Sequence, residues 1–348
     1  MKYLMILLFL PLACFAQSNQ QTLTGLWVKV KAQMRDGSRI VDHNGCGMDF
    51  LKYNFATDGT VNHSNEPLFD GFKLPYKLLG DSLVVGGTVY NVLGLTKDTL
   101  KLSFFVPGAE DNQVPVYYFT KVLAHNIAGP ATFNVALKDS VYQATSEFFP
   151  WCKGDILTLM RGISGEYEKG SFKASFIIDK KGRVKNYTLV SADSVSNGFA
   201  KQVCRDFGNV DWMPATKNGV PVASIVQLTF KTKRSAYGGS SMMMNNMAIE
   251  YDFLPKAPYP AIDRDEFEAG QQFFKDAINQ SNSGNYDKAV ELLAKSIDID
   301  KINLSAYYFR ALINAQRGKT KEACKDWTTL AGLGQLDAVK KLAKFCKN

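Results

Sequence analysis

Residues 210–233 read VDWMPATKNGVPVASIVQLTFKTK, and this stretch decides how the middle of the chain is built. Trp212 and Pro214 mark the exit from a helix. Asn218-Gly219 is a tight-turn dipeptide, since both residues tolerate positive φ. From Val220 to Phe230 a strand follows, with Ser224, Val226, Leu228 and Phe230 alternating onto one face.

Working backwards, SFKASFIIDKKGRVKNYTLV gives two alternating strands around Asp179-Lys180-Lys181-Gly182. Phe172, Ala174, Phe176 and Ile178 share a face and predict a core. GFAKQVCRDFGNV reads as a short amphipathic helix with Phe199, Val203, Cys204 and Phe207 on one side. The order strand, turn, strand, helix, loop, strand resembles the TonB C-terminal domain family. Asp179, Gly182, Val184, Trp212, Pro214, Ala215, Asn218, Gly219, Pro221 and Val222 carry the resemblance, in structural roles. The resemblance implies an α+β domain over 147–234 that binds partner peptides by adding a strand to an open sheet edge. The final strand, with Ser224, Val226, Leu228 and Phe230, is the expected edge.

Residues 20–123 are β-rich in another way. Short alternating runs (LWVKV, MDFLKYNF, SLVVGGTVYNV, TLKLSFFV, VPVYYFTKV) are separated by turn pairs such as Asp58-Gly59 and Pro107-Gly108. Such spacing predicts an antiparallel barrel or sandwich. Gly25-Leu26-Trp27 and the strand rhythm after it resemble lipocalin-like domains. That resemblance implies a barrel, and a small apolar ligand in its mouth if the interior is open rather than packed.

Residues 264–348 predict helices with a repeat. Phe273 and Tyr307, Ala277 and Ala311, Gly284 and Gly318, Ala289 and Ala323, and Leu293 and Trp327 are each spaced alike. The shared interval is that of tetratricopeptide repeats. Small residues let paired helices approach, and Leu293 and Trp327 fill between them. LDAVKKLAKFC supplies a capping helix. The expected architecture is thus a lipocalin-like all-β barrel, an α+β TonB C-terminal-like domain and all-α tetratricopeptide repeats. Residues 235–263, rich in Gly, Ser, Met and Pro, read as a linker; its run Met242, Met243, Met244 and Met247 offers a soft docking strip, a thioether copper site or incidental composition.

The first 16 residues read as a signal peptide, with Lys2, an apolar run too short to span a bilayer, and small Ala16 before Gln17. The expected location is the periplasm of a Gram-negative bacterium. The alternatives are a lipid anchor at Cys14 or an uncleaved inner-membrane anchor, which are also the only direct routes to a membrane. Export permits disulfides. Cys324 and Cys346 lie on helices that can run antiparallel, and Cys152 and Cys204 form a second candidate pair. Cys46 is left over.

The net charge of +8 is concentrated in residues 147–234, scattered rather than clustered. This reads as a solvated surface or a face for an anionic partner, with no basic-aromatic pattern for nucleic acid. His43, Cys46 and Asp49 are explained by a Gly-rich loop as well as by a metal. Phosphate-loop, G-x-S-x-G and H-E-x-x-H motifs are absent. No cofactor and no enzymatic activity are expected. The reading is an envelope protein that binds other proteins or peptides. The alternatives are a TonB-type energy transducer and a carrier of a small apolar ligand.

Overall fold

The computed structural model describes residues 20–346 except 42–49, 69, 123–127, 153–167, 210, 233–246, 255–258, 260, 261 and 263. The signal-peptide reading, Cys14, His43, Cys46, Asp49 and Met242 to Met244 lie outside the described residues. Two compact units divide the chain: residues up to 30, 50–105 and 117–255 in one, and 31–49, 106–116 and 256–348 in the other.

Eight strands close an antiparallel barrel: β1 (Gly25–Met34), β2 (Lys52–Phe55), β3 (Thr60–Ser64), β4 (Phe72–Leu79), β5 (Ser82–Val85), β6 (Thr88–Leu95), β7 (Thr99–Phe104) and β8 (Pro115–Lys121). The barrel expected from the alternating runs is present. A helical turn at residues 20–23 buries Leu23 completely against it, and the Trp27 Nε1 donates to the Leu23 carbonyl at 2.6 Å. Lys121 lies over the Trp27 ring and passes close to Gly25, where φ is +120° and a Cβ would meet Lys121 Cε at 2.9 Å. That approach is why Gly25 precedes Trp27 by two. Inward rings occupy the barrel axis. Tyr53 meets Phe55, His63 and Phe119, and its hydroxyl pairs with that of Tyr90 at 3.1 Å. Side chains that fill a small barrel in this way stabilise it by burial.

The second sheet has the order β13-β12-β17-β10-β9, with β18 also on β17. Its strands are β9 (Ala131–Asn134), β10 (Asp139–Gln143), β12 (Gly170–Ile178), β13 (Val184–Asp193), β17 (Ala223–Thr232) and β18 (Met247–Tyr251). Two small pairs accompany it: β11 (Trp151–Cys152) with β14 (Trp212–Met213), and β15 (Thr216–Lys217) with β16 (Val220–Pro221). Helix α1 (Asn197–Gly208) lays Ala200, Val203, Cys204 and Phe207 on the sheet face formed by Phe172, Phe176, Val226 and Phe230. The core continues to Phe50, Leu68 and Phe149, so barrel residues and sheet residues share one apolar cluster in this unit.

Two boundaries differ from the sequence reading. Strands β9 and β10 join this sheet from before residue 147, so the domain starts earlier. Residues 247–251 of the expected linker are strand β18, and Ile249, Tyr251 and Phe253 pack on the core. Apolar alternation there is brief and is outweighed in sequence by the flanking Gly, Ser and Pro.

In the second unit, helices α2 (Arg264–Asn282), α3 (Tyr286–Ile299), α4 (Leu304–Gln316), α5 (Thr320–Gly332) and α6 (Leu336–Phe345) follow one another as packed neighbours. Gly284 and Gly318 take φ of +79° and +75° between paired helices. Ala277, Ala289, Ala311 and Ala323 are fully buried at the crossings, and Leu293 and Trp327 are buried beside them.

Candidate protein-binding surfaces

The helical unit carries a groove of about 530 Å³ between α2, α4 and α6. Phe274, Ile278, Tyr308, Phe309 and Leu312 form its apolar lining, with Trp327 beneath. Phe274 and Phe309 meet edge to face at 6.3 Å, which holds α2 against α4. Leu312 is 50% exposed, too much for a core leucine in a well-packed helix. Asn282, Ser305, Asp337 and Lys341 give the groove a polar rim. Burial, and then the Asp337 carboxylate, push the Tyr308 phenol up to about 12, so it stays a hydrogen-bond donor at any physiological pH. The backbone behind the groove is stiffened by Arg310, whose guanidinium makes two bonds to the buried Asp326 carboxylate at 3.0 and 2.7 Å.

One wall of this groove, α6, is fastened at both ends. Its N-cap residue, Gln335, makes no side-chain cap. Instead Ser38 supplies one: its hydroxyl accepts from the Leu336 amide at 3.0 Å, and Asp36 holds Ser38 by two bonds of 2.8 Å. The Arg39 amide donates to the Gly334 carbonyl, and Gln335 Nε2 donates to the Arg39 carbonyl, each at 3.0 Å. At the other end Cys346 is bonded to Cys324 of α5.

The expected recognition edge takes a different place. Strand β17 pairs with β12 from Ser224 to Thr232 on one side. On the other side β10 covers Ala223 to Ile225 in parallel, and β18 covers Leu228 to Thr232 antiparallel. Ser224, Val226, Leu228 and Phe230 are therefore on an interior strand, and all four are buried against α1 or its neighbours. The edge reading of these residues is corrected: the chain supplies the covering strands from outside the module. Two of the remaining edges are blunted. On β13 the register slips at Val190 and at Lys185, two bulges that interrupt regular pairing. At the far side β9 has four residues and follows Pro130.

The family-motif residues are structural in placement. Asp179 accepts from the Lys181 and Arg183 amides at 2.8 and 3.0 Å, closing the hairpin. Burial pushes its carboxyl up, but those amides and the Arg183 guanidinium prevail and hold it below the usual range. Gly182 has φ of +74°, and a Cβ there would sit 1.9 Å from the Trp212 carbonyl oxygen. Trp212 is buried on Phe207 at 5.1 Å. Asn218 and Gly219 take φ of +52° and +76° in the β15–β16 turn, beside Pro214 and Pro221.

Of the cysteine pairs, Cys324–Cys346 is bonded, whereas Cys152 and Cys204 remain thiols and that pairing is corrected. Cys152 is held on β11 against β14, and Cys204 points from α1 into the sheet. Burial pushes the Cys204 thiol up to about 12, which makes it inert.

Sequence reasoning missed a buried polar junction in the first unit. Lys52 is 3% exposed, donates to the Pro67 carbonyl at 2.7 Å and lies over the Phe149 ring. Desolvation draws its ammonium down to about 8, against Asp70, Cys152 and Glu66. Glu66 in turn faces Tyr251 of β18; burial raises the Glu66 carboxyl and the Tyr251 phenol alike. Nothing in LKYNF distinguishes this lysine from an ordinary outward one.

Among the described residues, no group of three or more His, Cys, Asp or Glu side chains is placed to hold a metal, and no helix is long and apolar enough to cross a membrane. Comparison with curated proteins found no match. Residues 166–232, spanning β12, β13, α1 and β17, match the family model described as Gram-negative bacterial TonB protein C-terminal.

Proposed function

We propose that the chain is a non-enzymatic protein of the Gram-negative cell envelope that binds other proteins, and that the groove between α2, α4 and α6 is its binding surface. The observation that carries this reading is the exposed apolar lining of that groove, Leu312 above all, on helices whose buried alanines and turn glycines recur at the tetratricopeptide interval. A stack of this kind presents a concave face that suits an amphipathic helix or an extended peptide. The envelope location rests on the family matched by residues 166–232 and on the signal-peptide reading of residues 1–16.

The TonB-like module serves here as a scaffold rather than as a peptide-capturing edge. Its central strand is covered by β10 and β18, which removes the unpaired backbone groups that strand addition uses. That observation weighs against the energy-transducer reading. The ring-filled barrel axis weighs against the ligand-carrier reading.

The test is photo-crosslinking in the native host. A photoreactive side chain at Leu312 is expected to give a discrete adduct that is lost when Phe309→Asp is added. The same probe at exposed Phe133 on β9 is expected to give none. Adducts from Phe133 but not from Leu312 would move the binding surface to the sheet and defeat the proposal.

A further inference from the structure

We infer that the Cys324–Cys346 disulfide is a redox-operated pin on the groove: a dithiol reductant that opens it releases α6 and dissolves the binding surface. The inference rests on the groove reading above, whose regulation it names.

Helix α6 is poorly held by apolar burial. It has ten residues, fewer than the roughly 12–15 that an isolated helix needs to be stable in water. Ala338 is its one fully buried side chain, with Leu342 partly covered, while Leu336, Val339 and Phe345 are 40%, 46% and 50% exposed. Its attachment therefore depends on the Ser38 cap at the N-terminus and the disulfide at the C-terminus.

The same helix builds the groove. Asp337 and Lys341 are part of the rim, and Phe345 lies on Trp327, which lies beneath the lining, at 5.7 Å between centroids. Both cysteines are only partly buried, so the bond is open to attack. One thiolate of the reductant attacks a sulfur of the bridge and forms a mixed disulfide. The reductant's second thiol then displaces the protein sulfur. Two electrons and two protons pass to the bridge, leaving two protein thiols and an oxidised, cyclised reductant. The Ser38 cap is untouched by this exchange, so release is directional: the last two turns of α6 come free, and the first turn stays.

The experiment is hydrogen exchange on the full chain with and without dithiothreitol. A Cys324→Ser, Cys346→Ser double variant serves as a control that the reductant cannot alter further. Reduction is expected to speed exchange in residues 340–345 about tenfold or more, while α2 and α3 are unchanged. The double variant is expected to show the fast pattern under both conditions. Adduct yield from Leu312 should fall in parallel with reduction.

Unchanged exchange in 340–345 after verified reduction overturns the pin. So does faster exchange with undiminished adduct yield. If Leu312 gives no adduct even in the oxidised protein, the binding reading has failed on its own, and the pin is then judged by exchange alone. A general rise across α2 to α5 also overturns it, since the bridge would then be an ordinary staple of the whole stack.

Discussion

Ser38 caps a helix that begins 298 residues later, its hydroxyl accepting the Leu336 amide at 3.0 Å. The residue is 1% exposed, and Asp36 orients it through both its amide and its hydroxyl. Ser38→Ala should cost about 1 kcal/mol of unfolding free energy in the second unit, as loss of a helix cap usually does. Urea titration followed by circular dichroism measures it. The local signature is faster amide exchange at Leu336 and Asp337, with Gly284 and its neighbours unaffected.

Gly182 and Gly219 both have positive φ in turns of the same module, but their surroundings differ. Gly182→Ala brings a methyl to 1.9 Å from the Trp212 carbonyl oxygen, whereas Gly219→Ala meets nothing within 4 Å. The first change should cost at least about 3 kcal/mol, because backbone must move. The second should cost only about 1 kcal/mol, the strain of a left-handed alanine. Equal midpoints in denaturant for the two variants would contradict the close approach.

Lys52 predicts a pH effect of definite sign. Its ammonium titrates near 8 in the folded chain and at the ordinary 10.5 when unfolded. Between those values the unfolded state holds more protons, so the contribution of Lys52 to stability grows as pH rises through the window and is lost as pH falls through 8. Wild type measured against Lys52→Met should gain on the order of 3 kcal/mol from pH 7.5 to 10.5. Buried groups that do not interact with Lys52, such as Cys204, titrate alike in both proteins and cancel in the difference.

Strand β18 protects the sheet. Glu250 opposes Thr229 of β17 and, like Asp252 whose amide donates to the Gln227 carbonyl, turns its backbone toward β17, so Glu250→Pro removes a ladder donor and disrupts the cover. The exposed half of β17 then becomes a template for another chain. Light scattering should report association that grows with protein concentration, while wild type stays at one mass. A variant that remains unassociated but fully folded would show that β18 is dispensable.

Much of this was legible because it is local. The Asp179–Gly182 hairpin, the α1 helix and the Asn218-Gly219 turn are each specified within a dozen residues by periodicity and turn chemistry. Cys324 and Cys346 were paired on the same grounds, since adjacent antiparallel helices bring them together. The edge was misplaced because nothing inside residues 210–233 states what lies beside them. The neighbours come from residues 139–143 and 247–251, and such pairings carry no mark in either partner. Cys152 and Cys204 failed as a pair for a related reason: a buried thiol reads identically whether it is bridged or packed in a core. Lys52 was silent because a strand lysine is ordinarily solvated, and only the arrival of Phe149 and Tyr251 removes its water.

The parallel contact between β10 and β17 also sets an order of assembly. Val141 opposes Ala223, so the earlier strand must wait for some eighty later residues before its partner exists. A chain emerging N-terminus first can complete the barrel from residues it already has. It can then form the β12–β13 hairpin, dock α1 and recruit β17. Only after residue 251 has emerged can β18 cover Leu228 to Thr232 of β17. Until then half of β17 presents an open row of backbone groups to any other strand.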